Sequence, residues 1–258
     1  MNNYHTHTKR CQHAGSDDDE AFVLAAIEAG FGVLGFSDHS PWPFTDGFVS
    51  DIRMDVSEFP EYVASIRALQ EKYKGRIRIE CGLECEYYPQ FEGWLKEAKK
   101  SLDYVILGEH FAPYDVHGEH YYAKATEIEK VEEYAKVTAE AMRTGLYCYL
   151  CHPDLPLANY PAFDARAKEA MAAICEEAKA LDMPLEYNMY GIDKNLRNPY
   201  SGLGYPAADF WKLAGSMGLK AIIGVDAHRP FQLGFLDRFA AAKDFLLSTG
   251  VRLIEERP

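Results

Sequence analysis

Strand-like and helix-like runs alternate seven times along this 258-residue chain, and that alternation constrains the fold more than any other feature. The strand-like runs are "NYHTH" (3–7), "GVLGFSD" (32–38), "RIRIECGLE" (76–84), "YVILGEH" (104–110), "YCYLCH" (147–152), "PLEYN" (184–188) and "AIIGVDAH" (221–228). Helix-like stretches fill 18–29, 57–73, 90–100, 125–144, 163–182, 206–217 and 230–246. Strands joined through crossover helices run parallel. No Pro/Ser-rich linker, charge block or short repeat divides the chain, so the units predict one α/β domain over 1–258, closed as a barrel. Ser16 or Asp17 offers an N-cap, and Gly30, Gly75, Gly145 and Gly218 stand where helices should stop.

A hydrophobic content of 48% supports a buried core. No apolar run reaches the roughly 18–20 residues of a membrane span, and no signal peptide follows Met1. A cytoplasmic protein without a membrane partner is expected. The six cysteines are expected to be free thiols in so core-rich a chain. Cys148 and Cys151 have redox-motif spacing but lie in an apolar strand-like run, and Cys11 is close enough to the first histidines to line a site. A formal charge of −13 disfavours a nucleic acid partner. It leaves room for a small phosphorylated substrate, because bound metal ions make one pocket locally positive.

Two connections are long, 39–56 and 111–124, and both follow a strand. In a barrel they lie on the C-terminal rim, where active sites form. The polar residues at the strand ends belong to the same rim. His5 and His7 alternate on strand one and so share a face. Strand two ends in Asp38-His39, strand three in "CGLECE" with Glu84, strand four in His110, strand five in His152 and strand seven in Asp226-Ala227-His228. His13 lies in the loop after strand one. A lone histidine is ordinarily a core or surface residue. Seven of nine histidines at equivalent places are not explained that way. Imidazole and carboxylate donors together suit Zn²⁺, Mn²⁺ or Fe.

The motifs "HTH", "FSDH", "GLE", "HP" and "DAH", in this order, resemble the polymerase-and-histidinol-phosphatase (PHP) superfamily. "HTHTKRCQHAG", "AAIEAGFGVLGFSDHSPWPF" and "CGLECEYYP" are similar to its histidinol-phosphate phosphatase branch. The likeness runs from about residue 3 to 235. It implies a distorted (β/α)7 TIM-like barrel holding three divalent metal ions. Carried over by motif, His5, His7, Glu84 and Asp226 bind the first ion. Glu84 bridges to a second completed by His110 and His152, and His13, His39 and His228 bind the third. Asp38 and Glu86 are expected to support the ligands rather than bind metal.

The resemblance further implies hydrolysis of L-histidinol phosphate to L-histidinol and phosphate. Metal-bridging hydroxide is expected to attack phosphorus, with Glu84, Asp226 and His228 as the catalytic positions. Another small phosphate ester or a phosphotyrosine protein is the alternative substrate. Arg53, Arg197 and Asn188 are the candidate substrate contacts, because a guanidinium fork matches phosphate oxygens and Asn188 ends a strand. Arg229 is a lesser candidate. Trp42, Phe44 and Tyr205 are candidate walls for an imidazole-bearing ligand. His117, His120 and Asp226 are candidate proton donors to the leaving group, the first two expected at the surface.

Overall fold

The structure is a computed structural model and describes residues 1–113, 117–118 and 120–258. The expected loop 111–124 therefore falls partly outside the described residues. Those residues group into two compact units. The first comprises Met1–Cys85, Pro89–Ile106 and Val225–Asp237; the second comprises Glu86–Tyr88, Leu107–Gly224 and Arg238–Pro258.

The chain begins with β1 (Asn2–Asn3), α1 (Asp19–Glu28), β2 (Val33–His39), α2 (Phe59–Lys72), β3 (Arg78–Cys85), α3 (Glu92–Ala98) and β4 (Tyr104–Leu107). These four strands form one sheet in the order β1-β2-β3-β4. The β1–β2 and β2–β3 pairs are parallel, and their register places His39 opposite Glu84. All seven residues of β2 are buried, as expected of a parallel strand covered on both faces. Glycine at 35 and 82 makes room for Tyr104. A Cβ at Gly82 would stand 2.6 Å from the Tyr104 ring. The Tyr104 hydroxyl lies 2.6 Å from the Tyr4 carbonyl and 3.0 Å from that of Phe36, so a large polar side chain is satisfied inside the sheet.

The second unit contains α4 (Ile128–Arg143), α5 (Ala165–Ala180), β5 (Leu185–Asn188), α6 (Met189–Arg197), α7 (Ala208–Ser216), β6 (Lys220–Gly224), α8 (Leu236–Thr249, all but its first two residues) and β7 (Arg252–Leu253). Strands β5, β6 and β7 make a parallel sheet, and single bridges join Leu107 to Leu150 and Leu150 to Leu185. The expected strand 147–152 is thus reduced to one bridged residue. Beyond Cys151 the backbone turns sharply, and His152 adopts a positive φ of 31°. Strand one is shortened in a similar way: after Asn3 its pairing passes to a Thr6–Ala227 bridge. Helix α6 lies outside the helix-like stretches of the sequence. Asn188 starts it by accepting a hydrogen bond from the Gly191 N–H at 3.0 Å. Helix α1 is preceded by Asp18, one residue beyond the expected cap. Gly30, Gly75, Gly145 and Gly218 all take the left-handed conformation that ends a helix. All six cysteines are free. Among the described residues no helix is long and apolar enough to cross a membrane.

Candidate metal centre

The first unit gathers His5, His7, His13, His39, Glu84, Asp226 and His228 from stretches far apart in the sequence. Strand geometry does part of this. His5 and His7 flank Thr6, whose bridge to Ala227 carries two backbone hydrogen bonds, His7 N–H to the Ala227 carbonyl at 2.8 Å and Ala227 N–H to the His5 carbonyl at 3.2 Å. That pairing sets "HTH" against "DAH". Asn3 reinforces it. Its amide oxygen accepts from Val225 N–H at 2.8 Å, and its amide nitrogen donates to the His5 carbonyl at 3.1 Å and Thr6 Oγ1 at 2.8 Å. The His228 carbonyl in turn accepts from Gly15 N–H at 2.8 Å, which folds the His13 loop onto the site.

Donor atoms converge. His5 Nε2 lies 3.2 Å from His7 Nε2, 3.3 Å from Glu84 Oε2 and 3.5 Å from Asp226 Oδ1. His7 Nε2 lies 3.5 Å from Glu84 Oε2 and 3.1 Å from Asp226 Oδ1, and His39 Nδ1 lies 3.0 Å from Glu84 Oε2. His13 Nε2 and His228 Nε2 are 2.8 Å apart. A tetrahedral zinc ion with nitrogen donors at 2.0–2.1 Å spaces its ligands by about 3.4 Å. Most of these separations match such an edge, and several trios, among them His5–His7–Glu84 and His7–Asp226–His228, have all their donor atoms within 4.8 Å. The residues fit a metal ion.

Ionisation states agree with ligation. Burial and the neighbouring imidazole of His7 push His228 down to about 3, so it stays neutral with a lone pair to give. Its Nδ1 lies 3.0 Å from the Asp226 carbonyl, which accepts the ring N–H and turns Nε2 toward His13. Burial penalises the Asp226 carboxylate, but His5 and His7 beside it outweigh that and hold the group well below the usual range. Asp226 also adopts a positive φ of 52°. Left-handed backbone at both Asp226 and His152 is local strain that the surrounding hydrogen bonds sustain.

Asp38 is buried and takes a supporting position. Its carboxylate accepts from the Thr8 N–H and hydroxyl, both at 2.5 Å, and lies 3.9 Å from His7 Nδ1. Arg10 donates to Thr8 Oγ1 at 3.0 Å and pairs with Asp19 and Glu61, anchoring the segment behind the ligands. Neither Thr8 nor Arg10 is prominent in the sequence; their roles depend on contacts remote along the chain. Cys11 is buried with its Sγ 3.5 Å from His13 Nδ1. Burial, with Asp38, Glu84 and Asp226 nearby, pushes its thiol well up.

The second unit holds His110 and His152, with ring centroids 4.8 Å apart. Glu86 Oε1 lies 3.1 Å from His110 Nδ1, the arrangement that leaves Nε2 open to a ligand. Glu186 accepts from the His152 N–H at 3.3 Å and from the Asn188 amide at 3.0 Å. Asn188 is therefore engaged at both ends of its amide. Arg197 pairs with Asp193 on α6 and is mostly exposed. Arg53, in the first unit, is buried with Nη1 3.4 Å from the Ser40 carbonyl. It lines a cavity of about 410 Å³ with Gln12, Trp42, Phe44 and Phe48. Tyr205 packs with Ala123, Leu155 and Ala158 in the second unit. His117 and His120 are exposed. Glu109 and Asp154 are two buried carboxyls that sequence reading misses. Burial and the adjacent Glu86 push Glu109 well up, and burial pushes Asp154 to about 7. Nothing local in the sequence distinguishes them from exposed acids.

Comparison with known proteins places these residues in a family. A histidinol-phosphatase of Bacillus subtilis is 27% identical over 90% of this chain and 94% of its own. A Deinococcus radiodurans protein named "Probable histidinol-phosphatase" is 30% identical, covering 98% of this chain and 95% of its own. The crystal structure of histidinol phosphate phosphatase from Lactococcus lactis, complexed with zinc, L-histidinol and phosphate, superposes with a TM-score of 0.71 at 20% identity, covering 98% of this chain and 95% of that one. With residues 3–190 matching the PHP domain and both the relatives and the fold agreeing along nearly the full length, the chain belongs to the PHP family.

Proposed function

We propose that this chain is a metal-dependent phosphatase that hydrolyses L-histidinol phosphate to L-histidinol and phosphate. The observation that carries the metal-dependent reading is the convergence of five imidazoles and two carboxylates in the first unit, with donor atoms about one coordination edge apart. The substrate is supported by full-length relatives named histidinol-phosphatase.

The finer reading is a single PHP domain over 1–258, closed as a distorted (β/α)7 barrel with three ions of zinc, manganese or iron. His5, His7, Glu84 and Asp226 are the proposed ligands of one, His13, His39 and His228 of another, and His110 and His152 contribute to a third. Divalent ions there supply positive charge for a phosphate dianion and acidify bound water. The chain's own residues do the rest. Asp226 and Glu84 present anionic oxygens, and His228 stays neutral because burial denies it a proton. These three are the proposed catalytic positions. Arg53 is the leading phosphate contact, since a guanidinium fork matches two phosphate oxygens and this one is buried at the edge of a cavity. Trp42 and Phe44 give its cavity an aromatic wall suited to a flat ring. Arg197 and Asn188 are further proposed contacts.

Elemental analysis of the purified protein, paired with a panel of phosphate monoesters, tests this reading. Hydrolysis of histidinol phosphate that follows metal content and stops on chelation is the expected result. A loaded protein inactive on histidinol phosphate but active on another ester overturns the substrate. Hydrolysis indifferent to chelation, by protein free of metal, overturns the metal dependence.

A further inference from the structure

We infer that Glu186 is a positioning residue for His152: its carboxyl group, laid across Gly224, holds the His152 N–H and so fixes the left-handed turn that aims the imidazole at a metal ion. This rests on the metal-dependent reading above and extends it to a residue outside the ligand set.

His152 sits on difficult backbone. Its φ of 31° is rare for a residue with a side chain, and Pro153 after it narrows the choice further. Such a conformation persists only where the surroundings impose it. The two peptide groups beside the His152 Cα set the direction of its Cβ, and both are tied. The carbonyl accepts from Leu155 N–H at 3.0 Å and lies 3.4 Å from the Tyr134 hydroxyl. The N–H donates to Glu186 Oε2 at 3.3 Å. The ring then stands 4.8 Å from that of His110, centroid to centroid.

Glu186 is held in turn. It is buried on β5, where a carboxyl group needs hydrogen-bond donors. The Asn188 amide donates to the same Oε2 at 3.0 Å, and the Asn188 oxygen accepts from Gly191 N–H at 3.0 Å. The carboxyl group is thus moored to the first turn of α6. Beside it lies Gly224 of β6, the register partner of Asn188. Gly224 is not left-handed, so its backbone does not call for glycine. The space does: a Cβ there would stand 1.8 Å from Glu186 Oε1 and 2.4 Å from its Cδ. Glycine inside a strand weakens it and marks a close approach, and here the approaching group is the Glu186 side chain.

The test is zinc titration against a competing chelator, with elemental analysis. The chains are wild type, Glu186→Gln, Glu186→Ala, Gly224→Ala and the Glu186→Ala/Gly224→Ala pair, with His152→Ala to identify the ion concerned. Glu186→Ala is expected to weaken that ion about 10- to 100-fold, the range for losing a partner behind a metal-bound histidine, and to leave the others as tight as before. Glu186→Gln, whose amide oxygen can take the same two donors, is expected to stay within a few-fold of wild type. Gly224→Ala should match Glu186→Ala, and the double variant should be no weaker than either, because both act through one carboxyl group. In the metal-free protein, hydrogen exchange at the His152 amide should quicken about tenfold or more in Glu186→Ala and not in Glu186→Gln. Equal affinity of all ions in Glu186→Ala overturns the inference. So does an even loss across all of them, which marks a merely structural role, and so does a His152→Ala chain that keeps every ion. Glu186→Gln as damaging as Glu186→Ala also overturns it, because charge and not the hydrogen bond is then what matters. Should Glu186→Ala fail to fold, Glu186→Asp, one methylene shorter, takes its place under the same expectations. A wild-type chain that takes up no ion removes the metal reading and this inference together, whereas normal uptake with an unchanged Glu186→Ala removes the inference alone.

Discussion

His228 shows how environment selects chemistry for a side chain. An exposed imidazole is partly protonated near neutral pH and competes poorly for a metal. Burial holds this one near 3, and the Asp226 carbonyl fixes which nitrogen carries the proton. The sign for stability follows. The folded state refuses a proton that the unfolded chain binds near 6.5, so this contribution is complete above pH 6.5 and is lost as pH falls from there toward 3. Urea denaturation of the metal-free wild type and of His228→Asn across that window should diverge, the wild type losing stability relative to the variant as pH falls. For Arg53 the expected outcome is kinetic. Arg53→Ala should raise KM or lower kcat/KM by about 10- to 100-fold, the value of a charge-assisted hydrogen bond, with metal content unchanged in elemental analysis. The residues that cluster were legible in the sequence because strand alternation and the placement of histidines at strand ends are local features. Their support was not: Thr8 and Arg10 meet Asp38, Asp19 and Glu61 only after folding.

The strands explain both what was read correctly and what was missed. Apolar runs such as 32–38 and 184–188 reappear as β2 and β5 with ends displaced by about a residue. The run 147–152 has the same composition yet pairs only at Leu150, because the chain leaves the sheet at His152 through a left-handed turn no propensity announces. Helix α6 was hidden by Gly191 near its start and the Asn-Pro at its end, and the Asn188 cap starts it regardless. Gly82 carries a testable consequence within β3. Gly82→Ala drives a methyl into the Tyr104 ring and should cost about 1–3 kcal/mol, the usual range for overpacking a core, by urea denaturation. Asp154 carries another at the start of α7, where it accepts from Ala207 N–H and from Trp211 Nε1 at 3.1 Å. Burial raises this carboxyl from 3.8 to about 7. The folded state therefore holds a proton the unfolded chain has released, and stability declines as pH rises from 3.8 to about 7. In the metal-free protein Asp154→Asn should remove that slope, about 1.4 kcal/mol per pH unit for one proton.

Across the chain as a whole, the alternating pattern identified an α/β protein with parallel sheets, and the motif order identified the PHP family. The acidic balance of −13 and the cluster of buried carboxylates and imidazoles have one physical consequence in common. Without cations the site crowds carboxylates and imidazoles together, so bound ions should stabilise the fold. At ion concentrations 100-fold above Kd, one site contributes about 2.7 kcal/mol. Chelation should accordingly lower the Tm by several degrees in calorimetry, and readdition of metal should restore it. The most direct measurement is anomalous diffraction from crystals of the zinc-loaded protein. A peak within about 2.0–2.2 Å of the donor atoms of His5, His7, Glu84 and Asp226 is the predicted result; a loaded crystal with no anomalous density among those four residues would contradict it.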